Sequence, residues 1–134
     1  MPGPEADIPK SVFRVLVAIL LIATATIVFR AATASFALET HEVFVAQTAR
    51  EMLAADAYVV PMFGGELRLQ KPPLMYWLVS GVAALAERPD VPAWVARAPS
   101  AIASLVLVAS CIGIGARVYD RRTGVVAGAM LAFC

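Results

Sequence analysis

The stretch Gln70-Lys71-Pro72-Pro73-Leu74-Met75-Tyr76-Trp77 decides how this chain is read. A lone cation precedes two prolines, and the uncharged run Pro72–Ala86 follows. Proline suits the first turn of a helix, where the N–H it lacks would have no partner anyway. A helix over 72–86 is therefore predicted, and the question is whether it crosses a membrane. Its length is about 22 Å, against a bilayer hydrocarbon core of about 30 Å.

Composition supports the membrane setting. Of the 134 residues, 60% are hydrophobic and 16% charged, whereas soluble domains carry about 25% charged residues. The net charge of +1 gives no reason to expect nucleic acid as a partner. Cys111 and Cys134 lie in apolar runs and read as small buried hydrophobes, not as a disulfide framework or a zinc site.

Working outward from the opening stretch, the chain divides by hydropathy. Residues 1–11 read as a short polar tail. A first span is predicted over about 12–34, with Arg14 and Arg30 snorkelling from its ends. A cleavable signal peptide is the competing reading, with Ala32-Thr33-Ala34 as its cleavage site. Arg30 sits awkwardly for that reading, and further apolar runs follow. A second span is predicted over 98–116, and a third apolar run over 124–134 is too short to cross. The basic turn Arg117–Arg122 and the pair Lys10 and Arg14 should both face the cytoplasm. That requires an even number of crossings between them, so the 72–86 helix should lie in the outer interface, with Tyr76 and Trp77 as belt residues. Residues 38–97 then form one extracytoplasmic segment. It contains a second interfacial helix over 41–54, whose apolar stripe is Val45, Ala49, Met52 and Leu53, with Thr40 as its expected cap. The Gly64-Gly65 turn between Val59–Phe63 and Glu66–Leu69 predicts a small β-ribbon. The fold class is all-α: the N-terminal part of a polytopic membrane bundle.

Five residues could carry chemistry. Glu42 can act as a general base or anchor a metal or a substrate hydroxyl, and His41 can shuttle a proton or bind a metal. The competing role for both is a solvated helix start, where acids favour the positive end of the dipole. Lys71, before a helix N-terminus, is placed to attract a phosphate or simply to snorkel. Gln70 offers only neutral hydrogen bonds. Arg97 can meet lipid headgroups or a carboxylate of the 38–97 segment. No nucleotide-binding loop, Ser-His-Asp constellation or Cys-x-x-Cys pair is found in the sequence.

These motifs together resemble the membrane glycosyltransferases that use polyprenyl-phosphate sugars, the bacterial relatives of protein O-mannosyltransferases and of the lipid A aminoarabinose transferase. The resemblance rests on Ala49-Arg50-Glu51-Met52, Val60-Pro61, Gly65-Glu66, Lys71-Pro72-Pro73-Leu74-Met75-Tyr76-Trp77 and Arg97-Ala98-Pro99-Ser100-Ala101, in that order. The basic turn Arg117–Arg122, with Thr123-Gly124 after it, extends it over residues 12–134. It implies a multi-pass protein of the bacterial inner membrane with a cytoplasmic N-terminus. It also implies transfer of a sugar, with inversion, from a polyprenyl-phosphate donor to an extracytoplasmic hydroxyl or amine. By the same resemblance Lys71 contacts the donor phosphate, Glu42 is the second acid of an acceptor-side pair, and a divalent metal ion is admitted nearby. Two positions depart from the pattern: His41 stands where the first acid is expected, and Gln70 where a glutamate is expected. His41 would then serve as the base. The 134 residues alone are expected to be inactive, as the N-terminal portion of a larger enzyme. A non-catalytic membrane protein with a binding or scaffolding role is the alternative, and a transporter is disfavoured by spans without internal charge.

Overall fold

The computed structural model describes residues 7–34 and 37–133; part of the expected tail and Cys134 lie outside them. The chain is all-α, with five helices and one two-stranded ribbon among the described residues: α1 (Lys10–Thr33), α2 (Thr40–Ala55), β1 (Met62–Phe63), β2 (Glu66–Leu67), α3 (Leu74–Leu85), α4 (Ala93–Val118) and α5 (Arg121–Phe133). Two compact units are formed, one by Met1–Phe29 with Ile102–Cys134 and the other by Arg30–Ala101.

In the first unit, Leu20 of α1 packs with Val108 and Ile112 of α4, and Phe13, Val17, Ala129 and Ala132 close around them. Most of the apolar surface stays outside this small core. Val15, Ile19, Ile22 and Phe29 of α1 are exposed, as are Ile102, Val106, Leu107 and Ile114 of α4. Helices α1 and α4 are long and apolar enough to cross a membrane, yet only 11% of the most apolar window of each is buried. A core helix of a soluble protein would be covered. Such exposed apolar faces fit a membrane setting, and the chain is a membrane protein. The helix hydroxyls fit that solvent, because Thr24 and Thr26 each donate to the carbonyl four residues back, of Leu20 and Ile22, both at 2.8 Å. Cys111 is half-buried on α4, not enclosed.

Helices α4 and α5 form a tight hairpin. Asp120 caps α5, accepting from the Thr123 amide at 2.6 Å. Arg121 of the turn pairs with Asp7 at 3.2 Å and donates to the Ile8 carbonyl at 2.9 Å. Beyond the turn the two helix backbones nearly touch. A Cβ on Gly115 would lie 2.8 Å from Gly124 Cα, and a Cβ on Gly124 would lie 2.6 Å from the Ile112 carbonyl oxygen.

The second unit packs α2 on α3 through Ala46, Ala49, Val79 and Ala83, with Val91, Val95 and Ala96 completing the core. The Ala49–Met52 motif is its structural joint. Ala49 and Met52 are buried. Arg50 donates to the carbonyls of Asp90 and Val91, holding a loop in which buried Val91 has a left-handed φ of 41°. Valine rarely adopts that conformation, so the clamp has backbone strain to offset. Glu51 accepts from the Gly64 amide at 2.8 Å and from the Gln47 side chain at 2.9 Å. It thereby ties the ribbon turn to α2. Glycine is required at that turn, where Gly64 and Gly65 have φ of 61° and 83°.

Several predicted boundaries shift. The α2 cap is Glu39, not Thr40, and Glu42 at the third helical position accepts from the Glu39 amide at 3.1 Å. The ribbon is shorter than predicted because Val59 and Val60 bend and Pro61 has no N–H for the ladder. Helix α3 begins two residues after Pro72, with Pro73 as its cap residue. Helix α4 begins at Ala93 and runs through both Arg97 and Pro99. A paired arginine can sit inside a helix that charge alone seemed to end.

The glycine contacts make a prediction. Gly124→Ala forces a carbon against backbone on two sides, so it should destabilise the protein by about 1–3 kcal/mol and lower Tm in detergent. Gly113→Ala points into open space and should be neutral or stabilising. Equal effects of the two would contradict the close approach of α4 and α5.

Candidate functional site

All five sequence-predicted residues lie in the second unit. The structure sorts them into two groups. His41 and Lys71 line one cleft, about 450 Å³ in volume, together with Val45, Pro72, Leu74, Met75, Tyr76 and Leu78. Glu42 and Arg97 are engaged with each other, and Gln70 is exposed but does not line the cleft.

The cleft is built from helix periodicity. His41 and Val45 are one turn apart on α2 and share a face. Leu74, Met75 and Tyr76 are the first three residues of α3, where a helix leaves its amides without intrahelical partners. The prolines before them fix the entry of the chain and bring Lys71 to the rim. The cleft is cationic at that end and apolar along Val45, Leu74, Met75 and Leu78. Its shape and chemistry suit an amphiphile with an anionic head.

Glu42 faces elsewhere. Its carboxylate takes Arg97 Nε and Nη2, each at 2.9 Å, a two-pronged pair. Arg97 also donates from Nη1 to the Ala34 carbonyl at 3.2 Å. The hydrogen bond from Arg97 holds the Glu42 carboxyl below the usual carboxylate range, with the Glu39 amide adding to it and burial opposing it. A carboxylate so stabilised is a weak base. Among the described residues no three His, Cys, Asp or Glu side chains converge, and Arg97 occupies both Glu42 oxygens. This donor set does not make a divalent-metal site.

Two residues outside the five candidates complete the surroundings: Trp77, expected as a belt residue, and Arg68, which the sequence did not single out. Trp77 donates its indole N–H to the Tyr58 carbonyl at 2.7 Å, which fixes the outer face of α3. Arg68 donates Nε to the Tyr76 hydroxyl at 3.3 Å and lies over the Phe44 ring. A lone basic residue inside a short amphipathic ribbon carries no sequence signal of such a role.

Comparison with known proteins agrees with these motifs. Residues 70–134 match the family of dolichyl-phosphate-mannose-protein mannosyltransferases, which bears out the resemblance drawn from the sequence. An uncharacterized protein of Aquifex aeolicus (strain VF5) is 45% identical over 40 residues, which are 30% of this chain and 8% of that protein. The matched segment is thus a small part of that relative's length. No solved structure matches the chain.

The ion pair has a testable pH signature. Because the folded-state pKa of Glu42 is depressed, its stabilisation is present above the ordinary value of 4.5 and is lost as pH falls through the folded value. Unfolding of wild type and Glu42→Gln in detergent should therefore differ at pH 7; the difference should shrink below pH 4.5 and vanish once pH is below the depressed folded value. A difference that does not change with pH would mean that the Arg97 pair contributes nothing.

Proposed function

We propose that this chain is the N-terminal part of a membrane glycosyltransferase that moves a sugar from a polyprenyl-phosphate donor to an extracytoplasmic hydroxyl or amine. The observation that carries the reading is the convergence of His41 and Lys71 on one cleft with an apolar wall. Lys71 and the first amides of α3 face the phosphate, and Leu74, Met75 and Leu78 accept the start of the isoprenoid chain. As the acceptor attacks the anomeric carbon, its proton passes to His41. The bond from that carbon to the phosphate oxygen breaks, and the electron pair leaves with the lipid phosphate. Attack from the face opposite the leaving group inverts the anomeric configuration. The growing negative charge on the phosphate is stabilised by the Lys71 ammonium.

The topology that this requires has support in the first unit. Asp7 meets Arg121, while Leu20 meets Val108 and Ile112, so α1 and α4 run antiparallel there. If both cross the inner membrane, their linking segment starts and ends on one side. Helix α3, about 18 Å long, is too short to cross within it. With Lys10, Arg14 and the Arg117–Arg122 turn in the cytoplasm, the cleft is extracytoplasmic.

One feature favours a second reading, a binder of lipid phosphate that transfers nothing. Among the described residues lining the cleft there is no carboxylate, so His41 is the base available. Kinetics of the full-length protein with a polyprenyl-phosphate sugar separate the two. His41→Ala should lower kcat about 10²–10⁴-fold, the usual worth of a general base. His41→Asp, which restores the acid of the resembled pattern, should retain most activity. Lys71→Ala should lower kcat/KM for the donor by about 10–100-fold, as expected for losing one charge-assisted contact. Unchanged kinetics in His41→Ala and Lys71→Ala would refute both roles. Donor binding without any turnover in wild type would establish the binder.

A further inference from the structure

Arg68 differs from the other arginines that pack within its unit. Arg50 donates to the carbonyls of Asp90 and Val91, Arg88 pairs with Asp90, and Arg97 pairs with Glu42. Arg68 lies instead against aromatic rings. Its Cζ is 4.0 Å from the Phe44 centroid and 5.4 Å from that of Phe63, and the two rings meet edge to face at 5.0 Å. Its Nε donates to Tyr76, and neither Nη has an acceptor among the described residues. Among the described residues no carboxylate forms an ion pair with it. The rings and the Tyr76 hydroxyl fix the plane of the guanidinium, yet among the described residues four of its five N–H donors are unused.

The location is informative. Phe44 lies one helical turn from His41 and next to Val45, Tyr76 is a wall of the cleft, and Arg68 precedes Lys71 by three residues. Arg68 is not itself in the cleft lining, but its bond to Tyr76 puts the guanidinium one hydrogen bond from the wall. A pre-oriented fork of N–H donors with no protein partner matches the oxygens of a phosphate better than a lysine does.

We propose that Arg68 is a second phosphate contact of this cleft, taking two phosphate oxygens with Nη1 and Nη2 while Lys71 supplies a point charge. The ligand class is a phosphate monoester on an apolar chain. This inference rests on the reading that the cleft binds a lipid phosphate.

Binding of farnesyl monophosphate and of farnesol to the full-length protein in detergent micelles, followed by calorimetry, tests it. Arg68→Gln should weaken farnesyl monophosphate about 10- to 100-fold, the usual range for a charge-assisted hydrogen bond, and leave farnesol unchanged. Arg68→Lys, which keeps the charge without the fork, should fall between. Equal weakening of both ligands would make Arg68 purely structural and overturn the contact. Wild-type binding by Arg68→Gln, with Lys71→Ala impaired, would overturn the Arg68 contact and leave the cleft standing. Wild-type binding by both variants would overturn the cleft reading as well. Competition by dioleoyl phosphatidic acid at equal strength would keep the Arg68 contact but assign the site to a bilayer headgroup.

Discussion

The two-pronged ion pair between Glu42 and Arg97 sets the geometry on which the candidate site depends. Successive residues of a helix point about 100° apart. Once Arg97 holds Glu42, its neighbour His41 is turned to a different face of α2, the one it shares with Val45. That face borders the start of α3 and Lys71. The pair also explains how α4 can begin upstream of Arg97: the charge that would oppose an apolar helix is neutralised by a partner from α2. One interaction thus gives the adjacent residues His41 and Glu42 separate duties, one toward the cleft and one toward the scaffold.

The two units are stabilised by different physics. The first buries only a few side chains and presents apolar helix faces that water would penalise but lipid does not. Its internal contacts are backbone-close, made possible by Gly115 and Gly124. The second has a small alanine- and valine-rich core, and polar joints at Arg50 and Glu51 hold its loops. These joints hold the ribbon before α3 and the loop after it, so residues outside the cleft brace the helix that forms its wall.

Much of the fold was legible in the sequence, because helix length and apolar periodicity are local properties. The α2 stripe of Val45, Ala49, Met52 and Leu53 does face the core. The 72–86 run does form a short helix. Boundaries depart from the sequence pattern where tertiary partners decide them: at Arg97, neutralised by Glu42, and at Glu39, whose capping role depends on Glu42 reaching back. The site was half legible. Lys71 stands out beside two prolines, and His41 and Glu42 stand out as polar residues at a helix start. That they face different ways follows only from Arg97, 55 positions downstream of Glu42. Arg68 carries no local signal, since its surroundings come from α2, β1 and α3 together.

The most direct measurement is photo-crosslinking of the full-length protein with a diazirine-bearing polyprenyl phosphate, with the labelled residues mapped by mass spectrometry. Labels should concentrate on Leu74, Met75 and Leu78 and be lost when excess unmodified lipid phosphate competes. Labels confined to the lipid-facing surfaces of α1 and α4, and insensitive to that competitor, would contradict the cleft reading.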